Sequence, residues 1–109
     1  MSEVKTSPVE AKHIPEWDDF RKGERPSVGL VAGSFRVEGP DEDGDYDFYY
    51  CCPCGCGRIG MLFVGKGMKP TCSPSWQWNG SLEKPTLTPS VHHVGHWHGY
   101  LTDGVWVSC

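Results

Sequence analysis

The sequence predicts a small, mostly antiparallel β domain with a zinc-knuckle-like turn, preceded by one short helix and a polar N-terminal arm. Three observations predict it. Short runs of β-forming residues recur from Ser27 to Cys109, punctuated by glycine and proline. No segment sustains a helical period long enough for a substantial helix. The run CCPCGCG, Cys51 to Gly57, sets four cysteines in one tight turn.

Composition supports the reading. A chain of 109 residues is one domain by length. Its 14 glycines and 9 prolines supply turns rather than packing, so the apolar material is largely aromatic. A crosslink or a metal would strengthen so thin a core. No apolar run approaches the ~20 residues that span a bilayer. The N-terminus lacks the apolar core of a secretory signal. A soluble chain in a reducing cytoplasm is expected, where clustered cysteines hold metal more often than disulfides. Residues 38–47 carry six acids and no base, while residues 48–109 hold four bases and two acids. No Lys/Arg stripe marks a nucleic-acid groove. The acidic run reads as a solvated loop. Asp41, Asp43, Asp45 and Asp47 alternate as in a calcium loop, but the terminal Glu and flanking helices of that motif are missing.

The elements follow in order. Residues 1–26 read as a polar arm with a short helix over Pro15–Gly23, and residues 27–109 as a metal-stabilised β domain. In the helix, Pro15 opens the first turn, acids precede Arg21 and Lys22, and Gly23 caps. SVGLVAGSFRV reads as a strand pair or a bulged strand. YDFYYC and RIGMLFVG are strands on either side of the cysteine turn. SWQWNG puts Trp76 and Trp78 on one face by the two-residue period. LEKPTLTPSV carries two prolines and reads as an extended edge or loop. HGYL and VWVSC flank TDG, whose Asp-Gly signals a hairpin.

Thiolates this close repel one another unless a cation binds them and displaces their protons. Zinc takes four Cys or His ligands in a tetrahedron, and glycines let backbone amides turn toward the sulfurs. Cys51 and Cys54, Cys52 and Cys56, or Cys54 and Cys56 all have workable spacings, and at least one of the four thiols is spare. The other half of the site is expected from the C-terminal end, which offers His92, His93, His96, His98 and Cys109, with Cys72 a lesser candidate. His96 and His98 share a side if extended, and Cys109 returns toward His98 across the hairpin. A redox role for the C-x-x-C at Cys51–Cys54 is disfavoured, because such motifs open a helix in a βαβ frame. Trp76 and Trp78 read as a core cap or, if exposed, as a binding surface.

The order C-P-C-G-C-G (Cys52–Gly57), W-x-W-N-G with P-T and P-S (Trp76–Ser90) and W-H-G-Y-L-x-D-G (Trp97–Gly104) resembles a family of small Cys/His proteins encoded by phages and prophages. Relatives occur beside bacterial ubiquitin-like conjugation operons. The resemblance covers roughly residues 48–109. It implies a metal site drawing on Cys52, Cys54, Cys56 and His98, with Cys51 as the extra thiol. Where the family pattern has the Cys of a C-x-x-H pair, this chain has Gly95, and His96 or Cys109 is then expected to supply the missing ligand. The resemblance implies phage origin and no particular activity.

The function expected from these readings is that of a phage-encoded zinc protein, more a non-enzymatic protein-interaction module than an enzyme. Its partner would be a virion or host protein, and its place the virion or the host cytoplasm, away from membranes. A metal-dependent hydrolase or nuclease is the alternative, with Asp103, His92 or His93 as general base. A nucleic-acid-binding zinc module is a third reading; the aromatic content suits it and the acidic balance opposes it.

Overall fold

Asp45–Cys51 (β3) and Ile59–Lys66 (β4) form the longest antiparallel pair, with Cys51 opposite Ile59 across the cysteine turn. The computed structural model describes residues 5–20, 31–71 and 74–109. Val9–Glu10 (β1), Trp17–Phe20 (α1) and Phe35–Glu38 (β2) precede this pair. Trp76–Trp78 (β5), Leu87–Thr88 (β6), Val91–His93 (β7), Trp97–Thr102 (β8) and Val105–Ser108 (β9) follow it. They build a five-stranded sheet in the order β2-β3-β4-β5-β6 and a four-stranded sheet in the order β1-β9-β8-β7.

The mostly β fold expected from the sequence is present, with the cysteine-rich turn between strands. One pairing differs from the antiparallel expectation: β4 and β5 run parallel, Val64 beside Trp76. LEKPTLTPSV is an extended edge as expected, and its β6 segment borders the larger sheet. Asp103 and Gly104 both have positive φ, at 50° and 81°, and Thr102 pairs with Val105 around them. That is the two-residue hairpin turn the Asp-Gly pair signals.

The two-residue period explains the core. Phe48 and Tyr50 of β3 point inward with Leu62 and Val64 of β4, and Cys52 continues their face. Val91 of β7, Trp97 and Leu101 of β8 and Trp106 of β9 meet them from the smaller sheet. Phe35 and Phe48 stack at 5.0 Å, and Tyr50 touches Trp106 at 5.5 Å across the two layers. Trp106 is fully buried, crosses Trp97 edge-on at 5.6 Å and donates its indole N–H to Gly33 O at 2.9 Å. Trp106→Ala opens a cavity and strips that carbonyl of its donor. A loss of about 3–5 kcal/mol is expected in urea unfolding.

Within the stretch expected as a polar arm, β1 pairs with β9 and so borders the smaller sheet. Thr6 N–H donates to Ser108 Oγ at 2.8 Å, and Ala11 is buried in the core. The helix expected over Pro15–Gly23 is seen as α1, and the remainder of that stretch lies outside the described residues. So does Ser27–Leu30 of the strand pair expected in SVGLVAGSFRV. The outer face of the larger sheet receives α1. Arg36 lies 4.2 Å over the Trp17 ring and pairs with Glu38 at 2.6 Å, and Trp17 donates to the same carboxylate at 3.0 Å. The Arg36 bond, then the Trp17 bond, holds the Glu38 carboxyl below its ordinary range.

Candidate functional site

The cysteine turn gathers Cys52, Cys54 and Cys56, whose sulfurs all lie within 4.8 Å of one another. Cys52 N–H donates to Arg58 O at 2.9 Å, and Gly55 N–H to Cys52 O at 3.1 Å, which closes the turn. Gly55 and Gly57 take φ of 87° and 84°, a backbone that side chains rarely adopt. Cys52 is fully buried, Cys54 half-buried and Cys56 exposed, and the Cys52 and Cys54 sulfurs stand 3.3 Å apart. Burial pushes the Cys52 thiol well above its ordinary range. Three soft donors at this spacing suit a divalent metal that stabilises thiolate.

Cys51 takes no part in that group. It points to the opposite face of β3, is buried, and its backbone bonds Ser34 and Gly33. Burial lifts its thiol to about 11, with Cys56 and Cys54 adding to the shift. Cys72 lies outside the described residues.

The histidines occupy the β7–β8 hairpin, and strand parity divides them. Val91 and His93 of β7, with Trp97 and Gly99 of β8, face the core; His92 and His98 face away. His93 meets Tyr50 edge-on at 5.9 Å and His96 at 4.9 Å, the latter from across the hairpin turn. His96 N–H closes that turn on His93 O at 2.9 Å, with Gly95 at φ 79°. Burial, then the nearby His96 and Arg58, holds the His93 imidazole below its ordinary pKa. The phenol of Tyr50 is raised by burial and then by Cys52 and Cys56, so Tyr50 neighbours the cysteine turn as well as the His93 imidazole.

His98 engages a different partner. Its Nε2 shares a hydrogen bond with Ser90 Oγ at 3.0 Å, and the His92 ring lies 4.6 Å from it on the same face. Ser90 sits at the junction where the chain leaves β6 and enters β7, passing from the edge of one sheet to the edge of the other. Both side chains are half-buried, so solvent reaches the pair. Trp76 donates its indole N–H to Ser90 O at 3.0 Å, and this bond locates the serine backbone.

Of the residues expected to ligate one metal, Cys52, Cys54 and Cys56 are brought together. His96, His98 and Cys109 are outside the group of atoms within 4.8 Å. Cys109 is exposed, and only its backbone N–H reaches His98, at the carbonyl, 3.0 Å away. Trp78, expected with Trp76 as a binding surface, is buried in the core and donates to Ser81 O at 3.1 Å. Trp76 is half-buried behind Ser90.

Ser90 was missed by the sequence reading, which treats its dipeptide only as part of a motif. Its signal is periodic: Ser90 and His92 alternate onto one face, and an antiparallel return places His98 opposite His92. A hydroxyl held against an imidazole on an accessible sheet edge is the arrangement that a serine nucleophile and its general base require. Residues 22–109 match the family described as the bacterial ubiquitination-like system serine protease, BubE, and the chain belongs to that family. No match was found among curated proteins or solved structures. The family bears out the implied association with bacterial ubiquitin-like systems. It also corrects the expectation of a non-enzymatic interaction module, because the family is one of serine proteases.

Proposed function

We propose that the chain is a serine peptidase in which Ser90 is the nucleophile and His98 its general base. The carrying observation is the 3.0 Å contact between Ser90 Oγ and His98 Nε2 in a chain of this family. With the imidazole proton on Nδ1, the serine hydroxyl donates to Nε2. As Oγ attacks the scissile carbonyl, Nε2 takes the proton. The C–N bond then breaks, and the same proton passes to the departing amine. Water attacks the resulting acyl ester with His98 again as base, releasing the acid and restoring Ser90. A protein of a ubiquitination-like system, cut within an extended segment, is the substrate class that fits the family description.

The metal completes the reading in a structural role. Zinc suits the Cys52, Cys54 and Cys56 sulfurs, and reduced clustered thiols fit a cytoplasmic protein. The catalytic steps run through Ser90 and His98 alone.

A fluorophosphonate probe tests the nucleophile. Mass spectrometry is expected to find one adduct, on Ser90, absent from Ser90→Ala and His98→Ala. Labelling at another residue, or none in the folded wild-type chain, would overturn the assignment. Trp76→Phe keeps the ring and removes the donor to Ser90 O. Loss of one such bond, worth ~1 kcal/mol, is expected to lower kcat roughly 3–10-fold with KM and urea midpoint little changed.

A further inference from the structure

Three sulfurs leave a tetrahedral zinc one ligand short, and the core-facing side of the β7–β8 hairpin holds an imidazole atom with nothing to bond. His93 Nδ1 is buried and has no hydrogen-bond partner. Buried polar atoms are satisfied as a rule, and an orphan needs a cause such as an ion. We propose that His93 Nδ1 is the fourth ligand of the Cys52/Cys54/Cys56 centre. The ion thereby fastens the hairpin that carries His98 to the cysteine turn of the other sheet. This deepens the metal reading above and is independent of the protease one.

Geometry favours His93 over the other histidines. It extends from the core-facing side of β7, as Cys52 does just beyond the end of β3, and both border Tyr50. His98 is turned to the opposite face and bonded to Ser90. His96 packs beside His93 without an orphaned buried nitrogen. His93 stands outside the atoms mutually within 4.8 Å, so coordination requires the hairpin and the turn to draw closer than they stand here.

Cobalt(II) titration of the full chain tests this, because its spectrum reports ligand number and type without any assay of cleavage. The wild type is expected to bind one Co2+ tetrahedrally with three thiolate charge-transfer contributions. His93→Ala should weaken binding by more than the ~10–100-fold typical of outer-shell changes. His96→Ala and His98→Ala should leave spectrum and affinity unaltered. His93→Cys restores a ligand and should add a fourth thiolate contribution, which keeps the test decisive if the alanine variant folds poorly. Unchanged binding by His93→Ala, transfer of the loss to His96→Ala, or no added thiolate signal in His93→Cys would overturn the fourth-ligand assignment and leave the metal centre standing. Failure of the wild type to bind Co2+ or Zn2+ would remove the centre itself.

Discussion

Ser90→Ala is expected to abolish peptide cleavage, with kcat falling at least ~10³-fold, while the chain stays folded. Removing the serine of a serine–histidine pair deletes the covalent route and leaves only binding and electrostatic contributions. Ser90 is half-buried and its backbone is held by Trp76, which the substitution does not touch. The thermal midpoint should therefore move little. His98→Ala is expected to lose a comparable factor, and the double variant little more than either single one, because the two groups act as a unit. Equal cleavage by wild type and Ser90→Ala would place the nucleophile elsewhere.

Stripping the metal is expected to produce the largest change in stability. An ion that binds only the folded chain, at a free concentration a thousand times its Kd, stabilises by about 4 kcal/mol. In a domain of this size that corresponds to roughly 15–25 °C in midpoint. A strong chelator should remove that increment, and Cys52→Ser should remove it permanently. In that variant, added zinc should no longer raise the melting temperature. The effect has a definite pH sense. Burial raises the Cys52 pKa, so the thiol is protonated through the neutral range and the ion must displace that proton. Affinity is then expected to climb as pH rises through neutrality and to fall on acidification. Melting curves with and without zinc across that range check it.

The longer strands were legible because each is written in local terms, whereas β1 and β7 carry too few residues to signal themselves. Phe48 and Tyr50 alternate with Asp47 and Tyr49, and glycine, proline or Asp-Gly marks the ends. The cysteine turn was legible for the same reason: Cys52, Cys54, Cys56, Gly55 and Gly57 are neighbours in sequence. The histidines were visible as a group, but their division was not. One residue of register decides whether His98 faces the core or the solvent, and that register comes from Val91 pairing with Gly99. The parallel alignment of β4 with β5 was likewise beyond local reading, since it joins Val64 to Trp76 through a connection with no strand signature.

By itself, then, the sequence determined a β-rich chain, a thiol cluster shaped for metal, and a hairpin dense in imidazole, because periodicity, turn chemistry and close spacing act over a few residues. Only the tertiary structure decided that His98 bonds Ser90 and that His93 turns to the core-facing side with a buried Nδ1. Strand pairing and the packing of two sheets choose the face on which each side chain emerges, and no short stretch of the chain encodes that choice.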